Sequence, residues 1–360
     1  MKRLGRFLSS AALSLASISA ALLVGEAVAR LAGVSVGTVQ INRGVVRTSP
    51  SPKLGFELRP NSSVAAEVDY RINGEGFRGP ALTEKKEGVR RIAVFGDSIV
   101  FGYWVAERDA FPAQLGVLLG PRVETLNLGV PGYNLDQEVE NLRLRVDSLR
   151  PDVVVFGFCL NDLDGLLSFE YGLTQKRREA RSGPRRVLES LLSFSRFAAW
   201  IEYRLTERDA RTRFAEARNP FGGELYEATP AALDSHLDAS FGALAATVTP
   251  RGIKALIAIF PILGNKFENY PYQDLHTRVG KAAARAGLLS VDLLPCFAPY
   301  GFRDVRVDVV HPNPLGHRIA AHAAALGLFD ELFPGEKKPA ALERSCSTYR
   351  AEEFATVNGY

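Results

Sequence analysis

Arg91-Ile92-Ala93-Val94-Phe95-Gly96-Asp97-Ser98 decides how this chain is read. An apolar run passes without a break into a glycine, a short acid and a serine. A short apolar run that ends in turn residues is the pattern of a strand covered on both faces. A serine at the end of such a strand stands where an open parallel sheet collects its reactive groups. Serine alone is a poor nucleophile: it needs a base to take its proton and a third group to orient that base. Both residue types occur more than two hundred positions later, in Asp308-Val309-Val310-His311. The D-x-x-H spacing puts carboxylate and imidazole on one loop, so little order is needed to join them.

Outward from residue 91 the pattern alternates. Strands are predicted at residues 91–95, 123–128, 153–158, 254–260 and 288–293, and helices at 111–119, 135–149, 274–286 and 315–328. Strand, helix, strand, helix implies a parallel sheet with helices on both faces. Position 100 is valine, so the G-x-S-x-G elbow of the other large class of serine hydrolases is absent around Ser98.

Four blocks in order carry a resemblance: Gly96-Asp97-Ser98, then Asn127-Leu128-Gly129-Val130-Pro131-Gly132-Tyr133-Asn134, then Asn161-Asp162, then Asp308-Val309-Val310-His311 with Pro312-Asn313-Pro314-Leu315-Gly316-His317 behind it. Together they resemble the SGNH, or GDSL-type, hydrolases over roughly residues 50–330. The resemblance implies a flavodoxin-like three-layer α/β/α fold with a five-stranded parallel sheet. It implies Ser98 as nucleophile, His311 as base and Asp308 as its orienting acid. The oxyanion donors would be the Ser98 and Gly132 backbone N–H groups and the Asn161 side chain. Gly129 competes with Gly132 for that role; Gly132 is preferred because it ends the loop before Tyr133-Asn134. Asp97 and Asp162 read as acids that hold loops through backbone N–H groups. There is one departure. The family usually has glycine two residues before the block III asparagine, and this chain has Cys159. The implied activity is cleavage or transfer of an ester-linked acyl group through an acyl-serine. The alternatives are an O-acetyl esterase or transferase acting on an envelope polysaccharide, and an inactive binding or scaffold protein of the same fold. No Asp-x-His precedes Ser98, which weighs against the polysaccharide branch.

The 360 residues are 46% hydrophobic with a formal net charge of +4. That composition allows a sizeable core and gives no argument for nucleic acid. Lys2, Arg3 and Arg6 precede an uncharged run, residues 7–24, and Ala27-Val28-Ala29 resembles a signal-peptidase site. The segment 1–34 is therefore read as a cleaved export signal or, second, a retained membrane anchor. Either places the catalytic domain at the cell envelope. Residues 35–90 are expected to be an approach segment packed on the domain, residues 91–335 the hydrolase domain with an inserted helical segment at about 163–230, and residues 336–360 a loosely held tail. Gly74 to Gly79 spells G-x-G-x-x-G but follows no strand, so it reads as turns and not as a dinucleotide site. Within the insertion, basic residues 176–186 precede an apolar stretch, 187–205, which is either a lid over a greasy substrate or a packing helix.

The three cysteines, Cys159, Cys296 and Cys346, have no metal spacing, and Cys159 and Cys296 are expected to be buried thiols. His317 and His322 share no helical face with His311, and His236 and His276 read as surface residues. No metal or cofactor is expected. The expected partner is an acyl ester, with the membrane met only through the N-terminal segment. No oligomeric state is assigned.

Overall fold

The computed structural model describes residues 2–32, 41, 44–65, 68–163, 195–198, 200, 201, 204 and 229–353. Helix α1 covers Lys2–Leu31. Its run is rich in alanine and serine, and its last turns hold the Glu26–Arg30 ion pair at 2.7 Å. Among the described residues no helix is long and apolar enough to cross a membrane. Two antiparallel hairpins follow, β1 (Val46–Thr48) with β2 (Phe56–Leu58), and β3 (Ser63–Ala65) with β4 (Asp69–Arg71). The Gly74–Gly79 stretch between them and the main sheet is made of turns, with Asn73 Oδ1 accepting the N–H groups of Glu75 and Phe77.

The main sheet and its covering helices run in chain order as β5 (Arg90–Gly96), α2 (Ser98–Phe101), α3 (Phe111–Leu119), β6 (Val123–Gly129), α4 (Leu135–Leu149), β7 (Val153–Phe158), α5 (Pro230–Val248), β8 (Lys254–Ile259), α6 (Gln273–Arg285), β9 (Leu289–Asp292) and α7 (Pro314–Leu332). The five strands are all parallel and lie in the order β6-β5-β7-β8-β9. This is the flavodoxin-like order. Every residue of β7 is buried, as its unbroken apolar sequence requires. Helices α3 and α7 pack together on one face, and α4, α5 and α6 on the other. The chain goes from β5 to β6 on one side, then from β6 back across β5 to β7 on the other. The connections that leave β5 and β7 therefore run in opposite directions, and Ser98 lies at the carboxyl end of β5.

Most expected elements are present, with ends moved by a few residues. Helix α5 was not foreseen, although Thr229 caps it, Pro230 opens it, and Leu233, Leu237, Phe241, Leu244 and Val248 line its buried side. Residues 44–80 build a small second core, in which Phe56, Tyr70 and Ile72 pack against Phe101, Trp104 and Tyr133 of the main domain.

Three expectations need correction. Cys296 is not a thiol: it is bonded to Cys346, with Cα atoms 5.6 Å apart, while Cys159 is the buried free thiol expected. The tail is held rather than loose over Ala340–Glu343 (α8) and on to Tyr349. The disulfide pins it, and Tyr349 is buried with its hydroxyl 2.7 Å from His322 Nδ1. His276 is not on the surface. It is buried between Asp292 (Nδ1–Oδ1 2.8 Å) and the Tyr270 hydroxyl (Nε2–Oη 3.1 Å). The basic stretch 176–186 lies outside the described residues. So does most of 187–205, and with it the lid reading. Of the insertion, Ser195, Arg196 and Phe197 all donate hydrogen bonds to the Glu26 carboxylate of α1.

Candidate active site

Ser98 opens α2, a single turn that starts where β5 ends. Asp97 caps that turn, its Oδ1 accepting Ile99 N–H at 2.8 Å. The turn can lie so close to the sheet because three adjacent strands place glycine in one row, last in β5 and β6 and next to last in β7: Gly96 pairs with Gly129 on β6 and with Gly157 on β7. A Cβ on Gly96 or Gly157 would come within 2.3 Å or 2.4 Å of Val100 Cγ2, and one on Gly129 within 2.2 Å of the Phe101 backbone nitrogen.

The distant histidine loop folds over this turn. Val307 N–H donates to His311 O and Asn313 N–H to Val305 O, closing a tight loop ahead of α7. Asn313 then caps α7 through Gly316 N–H, with Pro314 in its first turn. His311 Nε2 lies 2.8 Å from Ser98 Oγ, and His311 Nδ1 lies 2.8 Å from Asp308 Oδ2. A carboxylate only accepts, so Nδ1 carries the proton and Nε2 faces the serine as acceptor. Asp308 Oδ1 also accepts the N–H groups of Val310 (2.9 Å) and His311 (2.8 Å).

The electrostatics follow from these contacts. Burial raises the Asp308 pKa, but the His311 charge and the hydrogen bonds it accepts outweigh that and hold it at about 2. Burial lowers His311, but the Asp308 carboxylate beside it prevails, and the net shift is upward from 6.5. His317, buried in α7, is pulled down to about 3 by burial, then by His311 and Arg78, so it stays neutral. Among the described residues no group of three or more His, Cys, Asp or Glu could hold a metal ion.

Asn161, just past β7, donates from Nδ2 to Asp97 Oδ2 at 2.7 Å, and that same oxygen lies 3.3 Å from Ser98 Oγ. Asp162 Oδ2 accepts Cys159 N–H at 2.7 Å, so this acid shapes the loop where the chain carries cysteine. Gly132 takes φ +83°, a backbone that glycine adopts at least cost. Its loop is tied to β5 by Val130 N–H donating to Gly96 O at 2.9 Å. The Gly129 N–H donates to Asn127 Oδ1 at 3.1 Å.

The structure thus joins Ser98, His311 and Asp308 in one chain of hydrogen bonds and brings Asn161 to it through Asp97. It adds two groups that sequence reasoning missed. Trp104 donates its indole N–H to Asp308 Oδ2 at 3.2 Å. Glu138, in the first turn of α4, is wholly buried, and neither carboxyl oxygen has a hydrogen-bond partner among the described residues. Burial first, then the charges of Asp162 and Asp97, push its pKa well above 4.5. Neither residue has a spacing rule that would expose it in sequence.

The model of the GDSL-like lipase/acylhydrolase family matches residues 94–319, more than half of the chain. The chain belongs to that family. No curated protein matches it. Among solved structures, this acylhydrolase is similar to a lipase/acylhydrolase from Enterococcus faecalis at 16% identity, TM-score 0.40, covering 69% of this chain and 100% of that one. It is also similar to an inhibitor-bound aryl esterase of M. smegmatis at 14% identity, TM-score 0.40, over 67% and 98%. A third is a carbohydrate acetylesterase from Sinorhizobium meliloti at 13% identity, TM-score 0.39, over 66% and 98%. Membership rests on the family model. The GDSL-like acylhydrolase has a five-stranded parallel α/β fold and belongs to a family of lipases and acylhydrolases.

Proposed function

We propose that this acylhydrolase cleaves acyl esters through an acyl-enzyme on Ser98. The observation that carries the reading is the placement of His311, 2.8 Å from both Ser98 Oγ and Asp308 Oδ2. Ser98 Oγ attacks the ester carbonyl as His311 Nε2 takes its proton. Asp308 holds the tautomer and stabilises the imidazolium. The carbonyl oxygen becomes an oxyanion and receives the Ser98 and Gly132 backbone N–H groups and the second N–H of Asn161 Nδ2. The C–O bond to the alcohol then breaks, and the alcohol leaves with the proton from His311. Water, deprotonated by the same histidine, attacks the acyl-serine and frees the acid. No step needs a cofactor.

The test is covalent capture. A fluorophosphonate is expected to add once, to the peptide containing Ser98, and to fail with His311→Ala. Stable labelling of another serine, or labelling independent of His311, overturns the assignment.

The proposed place of action is the cell envelope. The positive start at Lys2, Arg3 and Arg6 before an uncharged run supports export, and so does the Cys296–Cys346 bond, since disulfides persist in oxidising compartments. A reporter that is active only after export, fused behind Tyr360, is expected to be active. A fusion active only in the cytoplasm refutes this, and the mass of the mature N-terminus separates cleavage from retention.

A further inference from the structure

Trp104 has φ +68°, the left-handed region, where a bulky aromatic residue is strained. Such a backbone persists only when its surroundings impose it, and here they do. The Trp104 N–H donates to the Tyr70 hydroxyl at 2.8 Å. The buried guanidinium of Arg78 takes the carbonyls on either side: Phe101 O at 2.8 Å, Gly102 O at 2.6 Å and Val105 O at 2.8 Å. Arg78 in turn lies over the Tyr70 ring, 4.6 Å from its centroid, and over the Phe101 ring at 5.3 Å. Tyr70 and Arg78 both belong to the segment before the catalytic domain. The outcome of the strain is the aim of the indole, whose N–H reaches Asp308 Oδ2, the oxygen that also accepts from His311 Nδ1.

We propose that Trp104 is a positioning residue for the hydrolytic reaction: Tyr70 and Arg78 force its backbone into the left-handed region so that its indole N–H fixes the Asp308 carboxylate against His311. The segment of residues 44–80 is then part of the catalytic apparatus, because it supplies the two groups that hold residues 101–105. This rests on the Ser98–His311–Asp308 reading.

The other groups around this pair set the background for a pH test. His311 faces Ser98 Oγ, the charge of Asp97 and the Tyr103 ring, T-shaped to it with centroids 5.4 Å apart, with neutral His317 nearby. Asp308 faces the backbone N–H groups of Val310 and His311. His311 must be neutral to act as base, so kcat/KM rises with pH through its pKa. An indole donor on Oδ2 draws charge away from the imidazolium. Without it the carboxylate stabilises the imidazolium more, and the pKa of His311 rises.

The experiment compares Trp104→Phe, Asp308→Asn and the double variant on p-nitrophenyl acetate. Trp104→Phe is expected to lower kcat about tenfold at unchanged KM, as for loss of a hydrogen bond to a charged group. The acid limb of kcat/KM is expected to move to higher pH. In the Asp308→Asn background the second change is expected to cost nothing further, because Trp104 acts through Asp308. A stable packing residue gives parent kcat and an unmoved limb in Trp104→Phe, or losses that multiply independently in the double variant; either result overturns the proposal. If Trp104→Phe folds poorly, the chain's two tryptophans allow a smaller change. In a Trp200→Phe background, tryptophan is replaced by benzothienylalanine, which keeps the indole shape and removes the N–H. The same loss and shift are expected, and parent behaviour overturns the proposal. Ser98→Ala separates the two readings. If it still hydrolyses ester, the site itself is wrong; if it is inactive while Trp104→Phe behaves as the parent, only the role of Trp104 falls.

Discussion

Ser98→Ala is expected to lower kcat for short p-nitrophenyl esters by between about 10⁴ and 10⁶, the scale seen when a triad serine is removed. Ser98 Oγ is the group to which His311 Nε2 points, at 2.8 Å, and alanine leaves nothing for the base to activate. The fold is expected to survive. The cap on α2 comes from Asp97, which accepts Ile99 N–H, and the close seat of that turn comes from the row of Gly96, Gly129 and Gly157; neither involves the serine hydroxyl. The measurement is steady-state hydrolysis by purified variant and parent, with thermal melting alongside. Turnover within tenfold of the parent, in a preparation with the parent's melting temperature, removes Ser98 as nucleophile.

Asn161→Ala carries the second largest expected effect, a fall in kcat on the order of 10² to 10³ with KM changed little. The ground-state carbonyl oxygen is a weak acceptor, and the oxyanion that forms on attack is a strong one. A donor aimed at the latter lowers the barrier without tightening substrate binding. Asn161 also holds Asp97 at 2.7 Å, and this gives the competing explanation a different signature. If the side chain only braces Asp97, its loss lowers the melting temperature and leaves kcat near the parent value. If it completes the oxyanion site, kcat falls in a protein that melts normally.

The sheet was readable because β5 from Ile92 to Gly96 and the whole of β7 are unbroken apolar runs, a pattern that local chemistry writes directly into sequence. Ser98, Asp308 and His311 were readable for another reason: two short blocks set their own local geometry, and the parallel sheet then leaves one place for them to meet. What escaped depends on contacts between distant segments. Cys296 and Cys346 are 50 residues apart, and nothing in that spacing says that the tail turns back. His276 sits on a helix that reads as polar, and only the approach of Asp292 and Tyr270 makes its burial tolerable. Trp104 is 204 positions from Asp308, and its left-handed backbone is imposed by Tyr70 and Arg78. Helix α5 is the opposite case: its cap and its apolar spacing were visible, and the insertion before it obscured where the domain resumes.

The glycine row carries a constraint on how this sequence can vary. Val100 Cγ2 occupies the space that a Cβ of Gly96 and a Cβ of Gly157 would both claim. One methyl group on a helical turn therefore serves as the side chain of two strands. Volume at positions 96, 100 and 157 is a shared quantity: the two glycines leave Val100 its room, and neither can grow while Val100 fills it. An alanine at position 157 is expected to be tolerated with a smaller residue at position 100, whereas at position 96 the exchange fails, because a Cβ there also meets Val100 Cβ at 2.9 Å and the Gly157 carbonyl oxygen at 3.1 Å. Single enlargements would instead lift the turn that carries Ser98 away from the sheet.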